Sequence, residues 1–311
     1  MCLLYYTQIY KIINIKMFLL VKKEGFFMNT EKNKEKWVEK IRQTLEIGGR
    51  SKRTFENYKS HLKRFLNYYD ETTNLRKFNE DDILTYIRVN YIDKGLSGES
   101  YNMAVKSIKL FYSICFNKEF KKSLIPNYKL RKRLPDIIEK EKFLTILNND
   151  KHIKHKCWLL LAFCSGLRAE EVATIKIENI YANEHKLKVL GKGSKERYTI
   201  LPDVTIKFLR LYCKEKKITR KTGYLFTGSA EHEVMNSYTI VNYFTMLKKK
   251  YELDKNLTFH CLRHSFATYY LLNGGNLLTL KSMLGHKSLN STTIYLHLSQ
   301  NFNKLEGIKY V

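Results

Sequence analysis

Six residues in the second half of this 311-residue chain are of the types needed to break and remake an anionic ester. Arg168 follows a glycine turn in Ser-Gly-Leu-Arg-Ala-Glu-Glu, and Glu171, three residues on, falls on the same helical face. Lys192 sits between Gly191 and Gly193, where the backbone can approach a ligand closely. His260 and Arg263 are one helical turn apart in His-Cys-Leu-Arg-His, His286 follows Gly285, and Tyr295 comes nine residues later. A phosphodiester attacked by a protein nucleophile becomes a temporary ester. Tyrosine suits that task, because its phosphodiester lies near in energy to the one broken. The free phenol titrates at about 10, so it needs help. Arg168 and Arg263 can clamp the non-bridging oxygens, offset the charge that builds on phosphorus and favour the phenolate. His260 and His286, titrating near neutrality, suit proton transfer and hydrogen bonding to phosphate. Such a cycle conserves the bond energy, so no cofactor, neither ATP nor metal, is required. The chain carries no Walker lysine pattern and no carboxylate cluster for two-metal hydrolysis. His260 and His264 have a zinc-compatible spacing, but no Glu follows His260 and no third ligand is evident; His264 reads as structural or exposed.

Two kinds of element must position these groups. From Thr30 to about Phe120 the apolar pattern is helical: Phe55, Tyr58, Leu62, Phe65, Leu66 and Tyr69 form one stripe between basic faces, with Ser51 and Thr54 able to cap its start. Asn79 and either Ser97 or Ser100 are candidate caps for the next helices, separated by Gly-Leu-Ser-Gly. This half reads as a small helical bundle. Residues 126–135, with Pro126 and Pro135 bracketing Lys129, Arg131, Lys132 and Arg133, read as a basic joint, hinge or extended strap. Beyond it, residues 139–149 and 156–166 are helical, and two short strands, with Leu187 and Val189 on one and Tyr198 and Ile200 on the other, flank the Gly191–Gly193 turn. Helices then follow over about 203–217 and around 237–251, and a final helical run reaches the C-terminus. The fold class is therefore mainly α with one small β-sheet.

In combination, Gly166-Leu167-Arg168-Ala169-Glu170-Glu171, Gly191-Lys192-Gly193, His260-Cys261-Leu262-Arg263-His264-Ser265-Phe266-Ala267-Thr268, Leu284-Gly285-His286-Lys287-Ser288 and Tyr295 resemble the tyrosine recombinase (phage integrase, Xer-type) family. Each fragment alone is commonplace; their joint order and spacing carry the resemblance. It spans roughly residues 30–300, and the stretch with Ser51, Thr54 and Tyr58 is similar, less specifically, to the family's helical core-binding domain. The resemblance implies a core-binding (SAM-like) domain at 28–125, the linker at 126–135 and a mixed α+β catalytic domain at 136–311. It further implies a clamp on duplex DNA at a specific recombination site, assembly into a tetramer through a Holliday junction, and a 3′-phosphotyrosyl intermediate on Tyr295. Lys192 would protonate the leaving 5′ oxygen, and Glu171 would orient a neighbouring cation or histidine. The residues after Tyr295 would pack on a neighbouring protomer. A type IB topoisomerase-like activity and a catalytically silent DNA-binding regulator are the alternatives. The stretch before Ser51 is short for a separate arm-binding domain, which favours a simple site of Xer, integron or transposon type.

Composition supports a polyanionic partner. The formal net charge is +26 and the sequence pI about 9.6, with 44% hydrophobic residues to build cores. The surplus is spread: +3 over residues 1–27, +7 over 28–125, +4 over 126–135 and +12 over 136–311. A ligand touching both halves and their joint fits that distribution. Expected DNA contacts are Lys52, Arg53, Lys59, Lys63, Arg131, Lys132, Arg133, Lys195 and Arg197. Six scattered cysteines without a CxxC pair point to reduced, cytoplasmic thiols, and the resemblance implies a bacterial or phage-encoded, nucleoid-associated protein. In residues 1–27 the longest apolar run, Met17 to Val21, is too short to span a bilayer. That stretch reads as an appendage or a mis-assigned start ahead of Met28, and no membrane partner is expected.

Overall fold

A computed structural model describes residues 28–121, 123–130, 134–191, 196–228, 233–296 and 298. Residues 1–27, Arg131, Lys132, Arg133, Lys192 and Lys195 lie outside the described residues, as does most of the chain after Tyr295. The chain divides into two compact units, Met1–Lys132 and Arg133–Val311.

Among the described residues the first unit is helical: α1 (Glu31–Ile47), α2 (Lys52–Leu66), α3 (Glu80–Ile87), which runs on into a π-helical turn at Arg88–Ile92, and α4 (Gly98–Phe116). Ser51 caps α2 by accepting from the Thr54 amide, and Ser97 rather than Ser100 caps α4. Asn79 and Asp82 form a reciprocal capping box on α3. The α2 stripe faces inward as its spacing predicts, with Phe55, Leu62, Phe65 and Leu66 buried. They join Trp37, Tyr86, Phe111 and Tyr112 in one aromatic core with edge-to-face contacts such as Phe65–Tyr86 at 4.9 Å. Asn29, fully buried, donates to the Leu66 and Tyr69 carbonyls at 2.7 Å each and so closes the C-terminal end of α2. Lys52, Arg53 and Lys63 lie on the solvent side of α2, with Lys59 half-buried over the Phe55 ring. The strap expected at 126–135 is pinned at its start: Asn102 accepts from the Tyr128 amide at 2.8 Å and donates to the Tyr128 carbonyl at 3.1 Å.

The second unit contains α5 (Lys140–Asn149), α6 (Ile153–Ser165), the short α7 (Ala169–Ala173), α8 (Asp203–Glu215), α9 (Ser237–Lys250), α10 (His260–Leu272) and α11 (Leu277–Leu284). Three antiparallel strands, β1 (Ile180–Tyr181), β2 (Lys186–Leu190) and β3 (Glu196–Ile200), pair in that order. The two-residue β1 is too short to leave a periodic signal, and the sequence reading missed it. In the β2–β3 hairpin Val189 faces Arg197 and Leu187 faces Thr199, so one face of the pair turns toward the core. The final helical run is not continuous: α10, α11 and the helical residues 290–296 are separated at Gly274–Gly275 and Gly285. Two αL glycines shape the turns that matter. Gly166 ends α6 at φ +68° and Gly285 ends α11 at φ +66°, a conformation costly for residues with a Cβ. No described helix is long and apolar enough to cross a membrane, and the described cysteines are unpaired.

Candidate active site

The glycine that ends α6 releases Leu167 into the core and leaves Arg168 at the N-cap of α7. Glu171 then folds back three residues, accepting from the Arg168 amide and from Arg168 Nη1, each at 2.8 Å. Glu171 is buried, and a second guanidinium meets it from β3. Arg197 Nη1 and Nη2 donate to its two carboxylate oxygens at 2.8 Å each. A third, Arg263 Nη1, lies 3.5 Å away. Burial alone would raise the Glu171 pKa. The hydrogen bonds and charge of Arg197, the Arg168 amide and the charge of Arg263 outweigh it, and the carboxyl titrates at about 2.

Arg263 is wholly buried in the first turn of α10. Its Nη1 donates to the Gly166 carbonyl at 2.7 Å and its Nη2 to the Leu284 carbonyl at 2.6 Å, which joins the two glycine turns. Its Nε–H is buried without a hydrogen-bond partner among the described residues. Burial and the neighbouring Arg168 lower the Arg263 pKa to about 9, so the group stays cationic at neutral pH. Arg168 retains 39% exposure of its side chain and is open to a ligand. His286 lies 3.4 Å from Arg263 Nη2 through Nε2 and 2.9 Å from Thr292 Oγ1 through Nδ1. Arginine can only donate, which assigns Nε2 as the acceptor and places the ring proton on Nδ1, toward the threonine.

His260, His264, His286 and Tyr295 line one cavity of about 510 Å³, with Pro135 and Asp136 on its rim. Burial, then the charges of Arg263 and Arg168, push both His260 and His286 down to about 4. Both imidazoles are therefore neutral at pH 7. Tyr295, 3% exposed, packs with Phe266, Leu280, Leu284 and Leu298. Burial raises its pKa, and the Arg263 and Arg168 charges oppose that rise.

Of the expected catalytic set, Arg168, His260, Arg263, His286 and Tyr295 come together at this end of the second unit, with Glu171 beneath them. Lys192 lies outside the described residues, as do Lys195 and the Arg131–Arg133 cations. Arg197 corrects the sequence reading. Expected as a DNA contact, its side chain is only 8% exposed, and its Nε donates to the Met283 carbonyl at 2.7 Å. A signal was available, because Arg197 occupies the inward position opposite Val189 on an alternating hairpin, and a cation there needs an internal anion. His264 is the second departure: its Nδ1 is 2.8 Å from the Tyr295 hydroxyl. The i, i+4 spacing from His260 places it on the site's face, but only the packing of residues 290–296 brings the phenol to it. Among the described residues no group of three His, Cys, Asp or Glu side chains could hold a metal ion.

Known proteins similar to this chain identify its family. Residues 136–301 match the phage integrase family and residues 37–122 match its N-terminal SAM-like domain. The chain is 27% identical over 269 residues to the tyrosine recombinase XerD of Staphylococcus epidermidis, covering 81% of this chain and 90% of that protein. It is 28% identical over 268 residues to the XerD of Staphylococcus aureus, with the same coverage. Among solved structures, the XerH site-specific recombinase bound to palindromic difH substrate superposes with a TM-score of 0.66 at 20% identity, over 82% of this chain and 79% of that one. A lambda integrase tetramer bound to a Holliday junction superposes at 0.67 and 18% identity, over 84% and 76%. With its family match covering more than half of the residues, the chain belongs to the phage integrase family, the tyrosine-type site-specific recombinases.

Proposed function

We propose that this recombinase cuts and rejoins duplex DNA through a 3′-phosphotyrosyl intermediate on Tyr295, with no ATP or metal cofactor. The observation that carries the reading is Arg263. A fully buried guanidinium, held by two carbonyls, keeps one N–H without a partner among the described residues and lies among Arg168, His286 and the tyrosine. An anion with several acceptor oxygens completes that arrangement, and a phosphodiester is such a group. In the proposed reaction, Arg168 and Arg263 stabilise the charge on the non-bridging oxygens as the phenol oxygen bonds to phosphorus. His260 and His286, neutral at pH 7, hydrogen-bond the phosphate. Lys192 protonates the 5′ oxygen as it leaves, and the reverse sequence reseals the strand.

The 28–125 and 136–311 regions serve as core-binding and catalytic domains that both engage the duplex. Lys52, Arg53, Lys59 and Lys63 contact phosphates, together with the basic linker and Lys195. The lambda integrase relative is a tetramer on a Holliday junction, and a tetrameric synapse at a specific site in the bacterial cytoplasm is the corresponding assembly here. Tyr295→Phe is expected to bind its DNA site with unchanged affinity and to form no covalent protein–DNA adduct on a nicked suicide duplex. An adduct that persists in that variant overturns the assignment.

A further inference from the structure

The hydroxyl of Tyr295 has one described hydrogen-bond partner, and it is neither His260 nor His286. It is His264 Nδ1, at 2.8 Å. We propose that His264 is a catalytic residue: in its Nε2–H tautomer it accepts the phenol proton as Tyr295 attacks phosphorus. This rests on the reading of Tyr295 as the nucleophile and names the base that reading leaves open.

The two groups are fixed toward each other from different parts of the chain. His264 projects from the first turns of α10, and Tyr295 is set by residues 290–296 packed against Phe266 of that same helix and Leu284 of α11. The rings are 5.7 Å apart between centroids, so the contact is made at the edges, through the heteroatoms. His286 also faces Tyr295, but as a ring stacked at 6.3 Å, with its Nδ1 on Thr292 and its Nε2 toward Arg263. Neither of its nitrogens is directed to the phenol.

Electrostatics give this pair its timing. Burial, then His260, Arg263 and His286, hold His264 down to about 3. It is a weak base, and the buried phenol stays protonated, stored as a hydrogen-bond donor. The charged and titratable groups around the cavity are His260, Cys261 and Arg263 on the same helix, Arg168 at the N-cap of α7, His286 after α11 and Asp136 on the rim. A phosphodiester seated on Arg263 offsets the cation that opposes protonation of His264, so substrate binding itself raises the basicity of His264. As the O–P bond forms, the phenol oxygen loses electron density and its proton becomes acidic, so a base of low pKa suffices. The balance is closed: the Tyr295 O–H bond breaks as the His264 N–H bond forms. The tyrosyl O–P bond forms as the P–O5′ bond breaks, and the 5′ oxygen takes a proton from Lys192.

The test measures single-turnover adduct formation on a nicked duplex whose sequence is selected from a randomised pool by binding to the Tyr295→Phe protein. His264→Phe keeps a ring without an acceptor; His264→Asn keeps an acceptor near the Nδ1 position but no base. Both are expected to bind the duplex within threefold of wild type and to form adduct about 100-fold more slowly at neutral pH, the scale of a lost general base. The deficit is expected to persist on a duplex with a 5′ bridging sulfur, which needs no protonated leaving group, and to shrink as rising pH ionises the phenol unaided. Restoration by His264→Asn to within fivefold of wild type would show that the histidine only positions the phenol. Rescue by the sulfur duplex would place its role on the leaving group. Either outcome overturns the proposal. Should Tyr295→Phe itself form adduct, the failure belongs to the assignment of the nucleophile. Loss of fold in His264→Phe, read by thermal melting, leaves the decision with His264→Asn.

Discussion

Replacing Glu171 with Gln should unfasten the site from below. A carboxyl held at about 2 against an ordinary 4.5 is stabilised as the anion by about 3 kcal/mol in the folded state. Breaking one partner out of a buried ion pair is independently expected to cost about 3–5 kcal/mol, because the remaining charge is left uncompensated. Here Arg197 and Arg263 are the guanidiniums so exposed to each other, while Arg168, more open to water, adds little. For a unit of this size, about 3 kcal/mol corresponds to a fall in melting temperature of about 6–12 °C. The chain has only two tryptophans, Trp37 in the first unit and Trp158 in the second. In a Trp37→Phe background the remaining indole therefore reports unfolding of the catalytic unit alone. Urea melts of Glu171→Gln, Arg197→Gln and the double variant give the coupling energy. The pH dependence has a definite sign: the folded pKa is depressed, so the contribution is complete above about 4.5 and is lost as pH falls through about 2. The acid limb of the stability curve should flatten in Glu171→Gln. A destabilisation below about 1 kcal/mol, or a coupling to Arg197 indistinguishable from zero, refutes the claim that this ion pair organises the site.

Arg197→Gln should leave DNA affinity within about twofold and its salt dependence unchanged, whereas Lys63→Gln should lower the slope of log affinity against log salt by about one ion, measured by fluorescence anisotropy across a salt series. Gly285→Ala places a Cβ 2.8 Å from Arg197 Cδ at φ +66°. It should destabilise the second unit by about 1–3 kcal/mol and slow adduct formation more than it weakens DNA binding. Asn79→Ala removes the capping box of α3 and should cost about 1 kcal/mol in the Trp37 transition with no change in that of Trp158.

Much of this was readable along the chain. Helix starts announced themselves through Ser51, Asn79 and Ser97, because an N-cap is a local exchange between one side chain and an amide two or three residues on. The stripe on α2 was legible because burial on a helix repeats every turn. Arg168 with Glu171, and His260 with Arg263, were paired correctly for the same reason: each pair spans a single turn, so its geometry follows from the backbone. Arg197 was assigned to DNA because its charge was counted while its place on the inward face of β3 was not.

The sequence by itself determined the residue types available for phosphoryl chemistry, their order and the turns that bear them. It also determined a helical first half, a mixed second half and a family in which those residues recur. Only the tertiary structure decided which cation faces which anion. Arg197 and Glu171 are 26 residues apart, Arg263 and the Gly166 carbonyl 97, and Tyr295 and His264 31. No local rule links positions that distant; packing does, through the αL turns at Gly166 and Gly285 and the apolar face of α10. The physical reason is that a charge in a dry interior takes its meaning from its nearest partner. Burial with Glu171 turns Arg197 into a brace, and an N–H without a partner among the described residues keeps Arg263 ready for an anion.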